Sequence, residues 1–82
     1  MILSVELTLY PLQDNYLPII ERFIDHLGGY DGLSLQTFRT ATIMMGEYDT
    51  VMKALADAMK WNQENQGKGV FVAKFLLDYE AL

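Results

Sequence analysis

The sequence contains no cysteine. Disulfide staples and thiolate metal sites are therefore closed to it. Its 82 residues must be held by one hydrophobic core, near the lower size limit for an unaided domain. The same absence suits a reducing compartment. Positive charge is scarce, with six Lys and Arg against eleven Asp and Glu, a net charge of −5. A nucleic-acid binder needs a basic stripe to neutralise phosphates. The few cations here are scattered from Arg22 to Lys74, which argues against nucleic acid as a partner. Long apolar runs are missing as well. No stretch approaches the roughly 18–20 apolar residues that cross a bilayer. Met1-Ile2-Leu3 has no basic flank and Glu6 interrupts the first apolar stretch, unlike a signal peptide. These features predict a soluble, cytoplasmic chain with no membrane partner. Histidine occurs once, at His26, and no H-x-x-H, C-x-x-C or calcium-loop pattern is present. We expect no metal, no cofactor and no catalytic residue.

What the sequence does have is hydrophobic patterning, with 51% apolar residues. Leu3, Val5, Leu7 and Leu9 alternate with Ile2, Ser4, Glu6, Thr8 and Tyr10, so residues 2–10 read as a strand that Pro11 stops. Asp14 or Asn15 can cap the next element, and Pro18 sits harmlessly in its first turn. Leu17, Ile20, Phe23, Ile24 and Leu27 then recur at helical spacing, predicting a helix over 15–27 that ends in a left-handed residue at Gly28-Gly29. Alternation over 33–38 and 42–47 predicts two strands joined by the polar link Arg39-Thr40-Ala41. Asp49 is a good cap for a second helix, with Met52, Leu55, Ala56 and Met59 as its buried stripe, fading in the polar run 62–67. Residues 69–79 alternate again, and Phe23, Phe71 and Phe75 read as core.

The resulting order β-α-β-β-α-β is the split β-α-β, or ferredoxin-like, α+β arrangement in one domain over residues 1–82. Right-handed crossovers place both helices on one face of an antiparallel sheet of order 4-1-3-2. The other face would carry Ile2, Ser4, Glu6, Thr8 and Tyr10 beside Val70, Val72, Lys74 and Leu76. A solvated face should be mostly polar, so this mixed one predicts a covering partner, a homodimer or homotetramer.

Few constellations could carry chemistry. His26 near the end of the first helix reads as a residue facing the helix dipole or solvent. Gly67-Lys68-Gly69 is too short for a phosphate loop and leads into a strand. Tyr10, Tyr16, Tyr30, Tyr48 and Trp61 border strand ends and helix starts, where polar tips reach water. Tyr10 and Tyr16 flank one turn and can stack on a flat ring. Glu6 on the open face adds a carboxylate that suits a cationic ligand.

Glu6-Leu7-Thr8-Leu9-Tyr10-Pro11-Leu12, followed by Asp14, Tyr16 and Ile19-Ile20, resembles the opening of the YkoF-like thiamine and hydroxymethylpyrimidine-binding proteins. Thr40-Ala41-Thr42-Ile43-Met44-Met45-Gly46 resembles their hydroxyl-bearing strand that closes with glycine, and Glu47 to Leu55 is similar to their second-helix entry. The resemblance implies a ferredoxin-like fold, paired subunits, and non-catalytic binding of thiamine or its pyrimidine precursor. Residue by residue it implies ligand contacts at Tyr10, Thr42 and Tyr16, and on that reading Thr42 shares a groove with Glu6 and Tyr10 if all three face one side. The chain departs from the pattern at Ala41-Thr42-Ile43, where relatives carry Ser-Thr-Gln. The alternative is an oligomerisation module without a small ligand; a dimeric α+β barrel enzyme is a more distant one.

Overall fold

A computed structural model describes residues 1–82. Its elements are β1 (Ile2–Pro11), α1 (Tyr16–Leu27), β2 (Ser34–Thr37), β3 (Thr42–Glu47), α2 (Tyr48–Gln66) and β4 (Gly69–Leu77). The sheet order is β2-β3-β1-β4 with every neighbouring pair antiparallel, so the fold is ferredoxin-like, as the patterning predicts. Alternation in β1 sends Leu3, Val5, Leu7 and Leu9 into the core. There they meet Ile19, Phe23 and Leu27 of α1, Met44 of β3, and Val51, Ala54, Leu55 and Ala58 of α2.

Local details differ from the sequence reading, each for a tertiary reason. The buried stripe of α2 is Val51, Ala54, Leu55, Ala58 and Asn62, whereas Met52 and Ala56 are exposed. Both stripes fit a helical period, but only the one rich in alanine lets α2 approach the sheet closely. The helix also runs through the polar segment to Gln66. Asn62 is buried there because its Oδ1 accepts a hydrogen bond from Gln66 Nε2 at 2.9 Å. The same amide donates to the Ile19 carbonyl at 3.0 Å, tying the end of α2 to α1.

Neither Asp49 nor Asn15 makes a capping hydrogen bond. Glu47 holds the cap position of α2, and Asp49 lies in its first turn. Gly28 is right-handed, at φ −64°, because the turn simply continues through Gly28, Gly29 and Tyr30 amides bonded to Ile24, His26 and Leu27 carbonyls. Gly46 at the end of β3 answers to packing: a Cβ there would stand 2.6 Å from the Gly32 carbonyl oxygen.

The outer face of the sheet is less open than expected. Asp78 adopts a left-handed conformation, φ 55°, and turns the chain back over the sheet. The Ala81 amide donates to Ser4 Oγ at 3.0 Å, and that hydroxyl donates to the Tyr79 carbonyl at 2.6 Å. Ser4 is thereby fully buried, and Ile2 and Leu76 are half-buried.

β4 departs most from expectation. Phe71 packs against the core, its ring centroid 5.1 Å from that of Phe23. Phe75, read as core, is 44% exposed although it pairs with buried Val5. The helices lie mainly over β1 and β3, so the Phe75 end of this outer strand has no roof.

Candidate functional site

The two neighbours of β1 differ in reach. β4 pairs with it as far as Pro11, but β3 stops at Thr42 opposite Leu7. Thr8, Leu9 and Tyr10 therefore lack a β3 neighbour. The β2–β3 connection partly fills the gap: the Phe38 amide donates to the Ala41 carbonyl at 2.8 Å, and Thr8 Oγ1 donates to the Thr40 carbonyl at 2.9 Å. Between this connection, the end of β1 and the underside of α1 lies an open groove of about 480 Å³. That volume falls in the range of small-molecule sites, about 300–1,000 Å³.

Leu7 and Leu9 form its floor, Ile20, Phe23 and Ile24 its roof, and Tyr10, Pro11 and Tyr16 one end. Phe38, Arg39, Thr40 and Ala41 close the other side. Thr37 and Thr42 put hydroxyls into the wall, 3.3 Å apart and hydrogen-bonded to each other. Thr42 is buried, whereas Tyr10 and Tyr16 are more than half exposed and stand at the rim. The lining is thus an apolar slot with aromatic lips and a pair of hydroxyls. Arg39 is its one charged side chain.

Three of the four residues singled out from sequence, Tyr10, Tyr16 and Thr42, line this groove. Glu6 does not. It pairs with Ile43 and Lys74 across the sheet, on the face opposite the helices, and its carboxylate lies 3.3 Å from Lys74 Nζ. The sharing of one groove by Glu6 and Thr42 therefore fails on strand parity: Thr42 pairs with Leu7 and faces the helices, one residue out of step with Glu6. Tyr10 keeps the parity of Glu6 and meets the groove only at its rim, where β1 runs past the end of β3. Ile43 faces away with Glu6, so of the two departures from the family strand only Ala41 touches the groove.

The reading of Arg39-Thr40-Ala41 as a mere polar link missed one wall. Its available signal was Phe38, a large apolar side chain placed directly before a polar turn.

His26 is not turned to solvent. Its ring stacks on Trp61, centroids 4.0 Å apart and planes 7° apart, and Nε2 shares a hydrogen bond with the Tyr30 hydroxyl at 3.1 Å. Burial pushes the Tyr30 phenol above its ordinary pKa, and the charge of Asp57 adds to the rise. This cluster joins the end of α1 to the body of α2, and none of its three rings lines the groove. No three His, Asp or Glu side chains converge as a metal cluster, and no helix is long and apolar enough to cross a membrane.

Comparison with known proteins places the fold and nothing finer. No protein-family profile matches the chain, and no curated protein matches it. Among solved structures, a Thermotoga maritima protein provisionally assigned to thiamine biosynthesis or salvage superposes with a TM-score of 0.82. It is 17% identical, and the match covers 99% of this chain and 86% of that one. A Streptococcus pneumoniae protein is similar at a TM-score of 0.86 and 20% identity, over 96% of this chain and 89% of that one. A domain of unknown function from Bacillus cereus is similar at 0.75 and 12%, over 93% and 75%. At such identities the likeness is one of fold.

Proposed function

We propose that this domain binds thiamine or its hydroxymethylpyrimidine precursor, without catalysis, in the groove between α1 and the β2–β3 connection. The observation that carries the reading is the meeting of Tyr10, Tyr16 and Thr42 at one apolar slot. These are the three positions to which the resemblance to thiamine-pyrimidine binders carries ligand contacts. The assigned role of one fold neighbour in thiamine biosynthesis or salvage adds support.

The chemistry narrows the ligand. An aminopyrimidine is flat and carries donors and acceptors on its edge. Tyrosine rims can stack on its faces, and the Thr37 and Thr42 hydroxyls can each donate or accept. No carboxylate lines the slot, so a cationic thiazolium finds no counter-charge there. The uncharged pyrimidine is the part held inside, with a charged substituent left at the mouth, where Arg39 favours an anionic one such as a phosphate.

Calorimetric titration with the free pyrimidine, thiamine and thiamine phosphates tests this. The pyrimidine should bind at least as tightly as thiamine, and Thr42→Val should weaken it by roughly tenfold, the loss of one hydrogen bond. Glu6→Gln should leave every affinity unchanged. An absence of binding by all the ligands at millimolar concentration would overturn the reading.

A further inference from the structure

The groove has two unlike lips. On one, the chain leaving β1 is anchored at each step. Pro11 pairs with Gly69, the Leu12 amide donates to the Lys68 carbonyl at 3.1 Å, and Gln13 Nε2 donates to the Gln66 carbonyl at 2.6 Å. Gln66 is itself held, since its Oε1 accepts from Arg22 Nε at 2.7 Å while its Nε2 bonds the Ile19 carbonyl and Asn62. Tyr10 and Tyr16 flank this anchored segment.

The other lip is the β2–β3 connection, which hangs from the four-residue edge strand β2. Phe38, Arg39 and Thr40 are all exposed. One backbone bond, from the Phe38 amide to the Ala41 carbonyl, closes the turn. One side-chain bond, from Thr8 Oγ1 to the Thr40 carbonyl, ties it to β1. Segments with few buried contacts and solvent-exposed hydrogen bonds open at the lowest free energy in a structure. This one nevertheless carries a large apolar ring, Phe38, half exposed at the wall of an apolar slot. Such a ring gains by closing on whatever fills the slot.

We propose that the β2–β3 connection is a lid over the groove and that Phe38 is its closing residue, laid by the movement on the face of a flat heteroaromatic ligand. This deepens the reading of the groove as an aminopyrimidine site and rests on it. The groove's 480 Å³ is more than one pyrimidine ring fills, so a close grip on that ring requires a wall to move inward. The floor cannot, because Leu7 and Leu9 are buried in the central strand, and the roof is held through buried Phe23. The connection can. Its bond to Thr8 pins Thr40, leaving Phe38 and Arg39 to swing about that point, and a pinned arm loses less freedom on closing than a loose one. Phe38 then acts as a specificity-determining residue: a flat ring gains the offset stack, and a saturated ring of the same size does not. Arg39 travels with it to the mouth.

The full chain and hydroxymethylpyrimidine as probe test this. In the free chain, backbone NMR order parameters at Arg39 and Thr40 should lie below those at Leu12 and Gln13, the latter near the rigid value of about 0.85. Adding the probe should raise them and give cross-peaks between the Phe38 ring and the probe's ring proton. By calorimetry, Phe38→Ala should weaken the probe roughly tenfold or more, the usual effect of removing a stacking ring. Phe38→Leu restores apolar bulk without a ring and should bind nearly as poorly, whereas Phe38→Tyr should recover most of the affinity. Thr8→Val unpins the arm and should weaken the probe about three- to fivefold, the loss of part of one hydrogen bond's pre-organisation. Melting temperatures of the Phe38 variants should stay within a few degrees of wild type, because the side chain is exposed. Equal order at both lips, no cross-peaks from Phe38, or binding by Phe38→Ala or Phe38→Leu as tight as wild type would overturn the lid and leave the groove's ligand standing. No binding by the wild type at millimolar probe would overturn both.

Discussion

Phe23 and Phe75 look alike in sequence, each a phenylalanine on an alternating or helical apolar stripe, yet they should respond very differently to truncation. Phe23 is 2% exposed, stands among Leu7, Leu9 and Ile19, and tilts against Phe71 at 5.1 Å and 55°. Removing a buried phenyl ring costs about 3–5 kcal/mol in transfer and cavity terms. About 0.5–1.5 kcal/mol of such a cost can reside in an aromatic pair of this kind. At about 0.05–0.15 kcal/mol per residue, a chain of 82 residues has a total stability of about 4–12 kcal/mol. Phe23→Ala therefore removes a large share of it. At about 4–8 °C per kcal/mol for a domain of this size, the melting temperature should fall by about 12 °C or more. Phe75 keeps nearly half its surface in water in the isolated chain, so Phe75→Ala should cost about 1 kcal/mol or less there. Thermal unfolding followed by circular dichroism in dilute solution, where any dimer has dissociated, gives both numbers. Equal losses for the two variants would refute the placement of the helices mainly over β1 and β3 with the Phe75 end of β4 unroofed.

Other predictions follow from the polar contacts. Gln66→Ala removes the link to the Ile19 carbonyl and leaves Asn62 buried without its partner, so denaturant titration should show a loss of about 1–3 kcal/mol; a negligible loss would mean the two helix ends are not tied there. The Tyr30 phenol is raised above 10.0, first by burial and then by Asp57, so the fold favours the protonated form. Stability from this group is complete below pH 10.0 and is lost as pH rises through the higher folded value, because the unfolded chain then sheds the proton more readily. In alkaline melts Tyr30→Phe should lose less stability than the wild type over that window, and parallel curves would contradict the assignment. The exposed Glu6–Lys74 pair should contribute little, and Glu6→Gln should change stability by less than about 1 kcal/mol at moderate salt.

Much of this architecture is legible in one dimension. Leu3, Val5, Leu7 and Leu9 declare β1 and its buried face, because period two has one solution when a strand covers a core. The element order then allows essentially one chirality and one sheet order, which the fold adopts. Tyr10 and Tyr16 could also be singled out in advance, as an aromatic pair around a turn, and Thr42 through the strand resemblance.

Only the tertiary structure decided the rest. Whether Thr42 shares a side with Glu6 depends on the register between β1 and β3, which no local pattern contains; Leu7↔Thr42 settles it against Glu6. The groove exists because β3 stops short while β4 continues to Pro11, a difference in strand length that appears only after pairing. Periodicity shows that Phe75 and Val5 share a face but not whether a helix lies above both. His26 and Trp61 stack because α1 and α2 pack against each other in antiparallel fashion, a pairing that no local pattern contains. The tail buries Ser4 because Asp78 takes a conformation that its residue type permits without compelling. Patterning along the chain determined which residues wanted burial. The lateral reach of the helices and the relative lengths of the strands decided which of them obtained it.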